Sequence, residues 1–233
     1  MNPPLQPTGG DLENTRLLRS CSFHILARPE DLELRVADLL SWRAQHKITE
    51  RPLFVWEPAP PHCTLATRDA HLKACQRVNV FSPNHLELAS LLEEQPKSDA
   101  PFSRGAVEEH AQQFLNASFE GSANGIMIVI RAGEHGCLTI SRKEKARWYP
   151  PFYDSASPEI VDATGAGNTF LGAFTFVLQK GLDLEEATIY GMVAASFALE
   201  QIGLPSLGSL DGAETWNGVK FSARLEEYKV RLA

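Results

Sequence analysis

Apolar positions along this 233-residue chain switch repeatedly between strand-like and helical spacing. Ser22 to Leu26 is a short strand-like run. From Pro29 the spacing becomes helical. Leu32, Leu34, Val36, Leu39 and Leu40 crowd one side of a segment that opens with proline and acids, as a helix N-terminus should. A strand over Leu53 to Trp56, a helix near Ala66 to Arg77, a buried strand over Val78 to Phe81, a helix from Asn84 and another across Arg104 to Phe114 continue the alternation. Gly125 to Ile130 is an unbroken apolar run, the form of a central parallel strand covered on both faces, and Cys137 to Ser141 reads as a following hairpin arm. After a proline-rich stretch, three helices are predicted over Gly167 to Gln179, Leu184 to Gln201 and Val219 to Val230. Residues 1–20, rich in proline and glycine, read as a flexible lead-in to one folded unit over 21–233. Strands alternating with helices predict an α/β fold of three layers, a mostly parallel sheet between helices, with ligands at the carboxyl ends of the strands.

Composition narrows the function classes. Hydrophobic residues make up 43% and charged residues 22%, the balance of a globular chain. The formal net charge is −7 and no Lys/Arg block occurs, which argues against nucleic acid as a partner. Net charge says nothing against an anionic nucleotide, which backbone dipoles can hold. The N-terminus shows no apolar core after a basic region and no stretch of about 18 apolar residues occurs, so the expectation is a cytoplasmic protein without membrane contact. Cys21, Cys63, Cys75 and Cys137 are scattered without CxxC pairing and are expected to be free thiols. His62, Cys63, His71 and Cys75 superficially suggest zinc, but no paired Cys-x-x-Cys anchors them.

The most informative segment is Val161-Asp162-Ala163-Thr164-Gly165-Ala166-Gly167-Asn168-Thr169-Phe170, small residues leading into an apolar helix. N–H groups at a helix start lack internal partners and carry the positive end of the dipole, so Gly165, Ala166 and Gly167 are candidate donors to a phosphate or developing oxyanion. A helix cap with glycines for tight packing would read the same. No Lys-Ser/Thr follows the glycines, which excludes a P-loop.

Asp-Ala-Thr-Gly-Ala-Gly-Asn-Thr-Phe is similar to the signature of the ribokinase-like (pfkB-type) sugar kinases, which ends in aspartate where this chain has Asn168. The resemblance implies that the glycine backbone forms an anion hole for the transferred phosphoryl group, and that Asn168 occupies the place of the base. An amide can orient a hydroxyl but cannot take its proton at neutral pH. Ser82-Pro83-Asn84-His85-Leu86-Glu87 resembles the family's Asn-x-x-Glu motif, which implies that Asn84 and Glu87 help hold magnesium near the nucleotide phosphates; a capping box would look alike. Val129 to Gly136 resembles the family's nucleotide-contacting turn, implicating Arg131, Gly133, Glu134 and Gly136, although hairpin glycines have the same pattern. By the same resemblance Asp162 stands beside a monovalent cation such as potassium.

The resemblance thus implies ATP and Mg2+, with K+, as cofactors, and a nucleotide and a small sugar-like acceptor as partners. It runs from Phe23 to the C-terminus. Nothing upstream of Ser20 resembles the family's first strands, Gly-Gly substrate motif and β lid, so the expectation is a ribokinase-like fold lacking those parts. With Trp56-Glu57-Pro58 replacing the usual Asp-Pro-Asn, the chain resembles a fungal, maintenance-of-killer-like branch. The readings, in order, are an ATP-dependent sugar or nucleoside kinase weakened at Asn168, a nucleotide-binding regulatory or scaffold protein, and an inert fragment. An unpaired sheet edge would favour homo-oligomers.

Overall fold

The computed structural model describes residues 7–94, 101–118 and 125–233. Its strands are β1 (Ser22–Ala27), β2 (Leu53–Pro58), β3 (Val80–Phe81), β4 (Met127–Arg131), β5 (Cys137–Ser141), β6 (Arg147–Tyr149), β7 (Leu207–Leu210) and β8 (Ala213–Trp216). Its helices are α1 (Gly9–Leu12), α2 (Pro29–Gln45), α3 (Arg68–Cys75), α4 (His85–Leu92), α5 (Arg104–Ala117), α6 (Ala166–Gln179), α7 (Leu184–Leu199) and α8 (Phe221–Leu232). One sheet runs in the order β1-β2-β3-β4-β5-β6. Pairings from β1 to β4 are parallel, and β4-β5 and β5-β6 are antiparallel. The mostly parallel sheet between helical layers agrees with the fold read from the sequence.

Successive strand residues face opposite sides of a sheet, and here both sides are apolar. Phe54, Trp56, Phe81, Ile128 and Ile130 pack on one face with α2 to α5, through Leu32, Val36, Leu88 and Phe114. Val55, Val80 and Val129 pack on the other with α6 to α8, through Phe170, Phe174, Val193 and Tyr228. That two-sided burial is why the strands read as unbroken apolar runs; each such side chain stabilises the fold by about 1.5–3 kcal/mol. Trp56, fully buried, donates its indole N–H to the Ala27 carbonyl at 2.9 Å, so its polar atom is satisfied.

Residues 8–20 depart from the flexible lead-in expected of them; residues 1–6 lie outside the described residues. Thr8 caps α1 with a capping box, and the Gly9 N–H donates to Asp38 of α2 at 2.7 Å. Leu18 is buried, and the buried Arg43 guanidinium donates to the carbonyls of Leu18, Ser20 and Glu50. The segment is thereby tied to α2. The β7-β8 hairpin was not anticipated either. Its turn, Asp211-Gly212, has positive φ at both residues (53° and 75°), as a two-residue hairpin turn matched to strand twist requires.

Candidate functional site

The carboxyl ends of β1 to β4 and the N-terminus of α6 converge on one region. Gly165 precedes α6 with φ 85° and ψ −10°, a left-handed conformation that glycine adopts without steric cost and that turns the chain into the helix. The Asp162 carboxylate accepts the Thr164 N–H at 2.9 Å, and the N–H groups of Val161 and Asp162 both donate to the Leu199 carbonyl, which pins the turn to the end of α7. That Thr164 N–H holds the Asp162 carboxyl below the ordinary aspartate range. Of the expected anion-hole donors, the Ala166 N–H is taken by Ala163 at 3.2 Å. The Gly165 and Gly167 N–H groups have no backbone partner among the described hydrogen bonds, and the Asn168 N–H joins them. Asn168 itself is exposed in the first turn of α6.

Beside this turn lies a cavity of about 430 Å3, a size that suits a small-molecule ligand. One wall is the segment after β4, with Arg131, Gly133, Glu134 and Gly136. Gly136, at φ 93°, sits where a Cβ would stand 2.0 Å from the Tyr149 carbonyl oxygen, so hairpin and cavity wall depend on the same missing side chain. The opposite wall is Ala163, Ala166, Gly167 and Phe170 of the α6 segment and Met192, Ala195, Ser196 and Leu199 of α7. Phe152, Tyr153 and Asn84 complete the lining. The structure therefore brings together Asn84, Arg131, Gly133, Glu134, Gly136, Ala166 and Gly167, while Asp162, Gly165, Asn168 and Glu87 do not line the cavity.

Arg131, leaving the end of β4, is the centre of a charged network. Its Nη1 lies 2.8 Å from Glu57 Oε1, and its Nη2 donates to the Ser82 carbonyl at 3.0 Å and lies 3.8 Å from Glu87 Oε2. Glu57, at the end of β2, pairs on its other oxygen with His24 Nε2 at 3.0 Å. Burial pushes the Glu57 carboxyl up, but His24 and Arg131 outweigh it and hold it below the usual range. Glu87 goes the other way: burial outweighs the Asn84 N–H and Arg131, and its carboxyl is raised. Glu57 and His24 are site residues that spacing and motif do not mark; the available signal is an acid ending the apolar run Leu53-Phe54-Val55-Trp56.

Asn84 and Glu87 form the capping box of α4. The Glu87 N–H donates to Asn84 Oδ1 at 2.8 Å, the Asn84 N–H to Glu87 Oε2 at 2.7 Å, and Asn84 Nδ2 to Glu87 Oε1 at 2.7 Å. Glu87 is 7% exposed, lies outside the cavity lining and has the Arg131 guanidinium 3.8 Å from Oε2, so the pair presents a divalent cation in the cavity with a fixed positive charge rather than an open carboxylate. Among the described residues no group of three or more His, Cys, Asp or Glu could hold a metal ion, and no helix is long and apolar enough to cross a membrane. The four cysteines are free thiols; His71 and Cys63 meet in the core at 4.0 Å.

Comparison with known proteins matches residues 8–207 to the pfkB family of carbohydrate kinases. An uncharacterized protein of Schizosaccharomyces pombe is 29% identical over 96% of this chain and 63% of its own length. Protein MAK32 of Saccharomyces cerevisiae is 32% identical over 89% of this chain and 56% of its own length. Among solved structures, Arabidopsis thaliana ribokinase complexed with ribose and ATP superposes with a TM-score of 0.58 at 15% identity, covering 91% of this chain and 57% of that one. The chain thus spans 63% and 56% of the length of these two curated relatives. By sequence match, motif order and fold, it belongs to the pfkB carbohydrate kinase family.

Proposed function

We propose that the cavity beside α6 binds ATP and that the chain is the nucleotide-binding part of a kinase-like protein that directs the γ-phosphoryl group toward a sugar or nucleoside hydroxyl. The observation that carries this reading is the junction of an apolar cavity with a helix N-terminus: Phe170 and Met192 suit a base, while the Gly167 and Asn168 N–H groups, without partners among the described hydrogen bonds, are free to donate to phosphates. Phosphoryl transfer rests mainly on positioning and stabilisation of charge, which the α6 turn can supply. The weak step is proton removal. Asn168 can accept a hydrogen bond from the acceptor hydroxyl and orient it, but the proton must leave to solvent.

Partners on this reading are a nucleotide and a small sugar-like acceptor, with self-pairing of the β1 edge as the route to a homo-oligomer. Free thiols suit a cytoplasmic setting. Potassium beside Asp162 belongs to the same reading. The second reading, a nucleotide-binding regulator that transfers no phosphate, is favoured by the amide at Asn168. Phosphate transfer from ATP to a panel of sugars and nucleosides, run with the protein and with Asn168→Asp, separates the two. Slow turnover that rises in Asn168→Asp supports the kinase. ATP binding without turnover in either protein supports the regulator, and failure of a folded sample to bind ATP removes both.

A further inference from the structure

At the phosphate end of the cavity the positive charge is already present as a side chain. The Arg131 guanidinium lies directly against the α6 turn: a Cβ on Gly167 would stand 2.5 Å from Nη1. The arginine is held from below by Glu57 at 2.8 Å, by the Ser82 carbonyl at 3.0 Å and by Glu87 at 3.8 Å, and its Nε–H has no acceptor among the described residues. Its side chain is only 16% exposed, yet it lines the cavity. A divalent cation bridging Asn84 and Glu87 to a nucleotide would have to sit against this fixed cation, on a carboxylate whose two oxygens already accept N–H groups. Resting on the nucleotide reading above, we infer that Arg131 is the resident counter-charge for the nucleotide phosphates, and that this site takes a nucleoside polyphosphate free of divalent metal.

Glu57 and Glu87 then act as positioning residues. Glu57 holds Nη1, the nitrogen that also lies against Gly167 in the α6 turn, and so fixes where the guanidinium meets that turn. Gly167 is needed twice over, to bare its N–H and to let the guanidinium approach. Arginine suits a binding role better than lysine here, because its planar fork can serve Glu57 and a phosphate oxygen at once.

The test is calorimetric titration of ATP and ADP into the protein in EDTA and in excess magnesium, with Arg131→Met and Arg131→Lys as variants and melting curves to show that each is folded. Comparable affinities in EDTA and in magnesium are expected for the unaltered protein. Arg131→Met should lose about tenfold or more of the affinity in EDTA, the worth of a hydrogen bond to a charged group, and gain a dependence on magnesium. Arg131→Lys should recover part of the loss. Binding that appears only with magnesium overturns the inference and leaves the nucleotide reading standing, as does Arg131→Met binding like the unaltered protein in EDTA. No binding under either condition removes both. Should Arg131→Met fail to fold, the comparison of EDTA with magnesium and the lysine variant decide.

Discussion

On the proposed kinase reading, a single amide decides how much chemistry this site can do. With an aspartate at 168, a general base would contribute on the order of 10²–10⁴-fold; with Asn168 that contribution is absent. Asn168→Asp should therefore raise any phosphate transfer about 10²-fold while leaving ATP affinity within about threefold, because the backbone N–H groups proposed to hold the phosphates are unchanged. Coupled ADP release measures the first quantity and calorimetry the second. Two glycines of the neighbouring turn make a separate comparison. Gly136 has positive φ and a carbonyl oxygen 2.0 Å from any added Cβ, whereas Gly133 has φ 55° and nothing within 4 Å. Gly136→Ala should cost about 3 kcal/mol and Gly133→Ala about 1 kcal/mol, read from urea midpoints, since only the first adds a clash to the conformational strain.

Elements place these residues, and the network at the strand ends couples three of them. Glu57 on β2 is paired with His24 on β1 and Arg131 on β4. Its folded pKa lies below the unfolded value, so the stability it contributes is present above the unfolded carboxylate range and is lost as pH falls through the folded pKa. Glu87 has the opposite sign: its raised carboxyl weakens the fold at neutral pH and regains stability on protonation. The urea midpoint should thus fall steeply below about pH 4, and Glu57→Gln should flatten that limb. An unaltered acid limb in Glu57→Gln would mean that the pair contributes nothing. Most elements were legible because their burial is simple. Gly125 to Ile130 reads as a central strand since helices cover both of its faces, and Leu184 starts α7 as its spacing predicts. Residues 8–20 carry no such signal because α1 is too short to show a period, and what orders them is Arg43, far away in sequence. The β7-β8 hairpin carried a local signal, Asp211-Gly212, but β7 is exposed throughout and shows no apolar alternation. Glu57 and Arg131 were separately visible, yet their contact depends on strand order, which spacing alone does not state.

At the scale of the molecule, β1 is an edge: it pairs with β2, and among the described residues nothing pairs with its other side. The Cys21 and Ala27 carbonyls point to β2, so by alternation the backbone groups of Ser22, His24 and Leu26 point outward. Leu26 and, on α6, Phe176 are exposed apolar side chains. Unpaired strand edges of this kind template further strands. Sedimentation should show concentration-dependent self-association that Leu26→Lys reduces without loss of fold; a monomer at all concentrations would contradict it.

The whole arrangement, sheet ends below, α6 above and an apolar cavity between, is proposed to hold a nucleotide. The most direct measurement is calorimetric titration of ATP into the protein and into Ala195→Trp, which places an indole in the cavity wall on α7, an element that carries none of Glu57, Glu87, His24 and Arg131. The account predicts saturable binding of one ATP by the unaltered protein and its loss in a folded Ala195→Trp. Equal binding by both proteins would put the nucleotide elsewhere, and no binding by either would contradict the account at its centre.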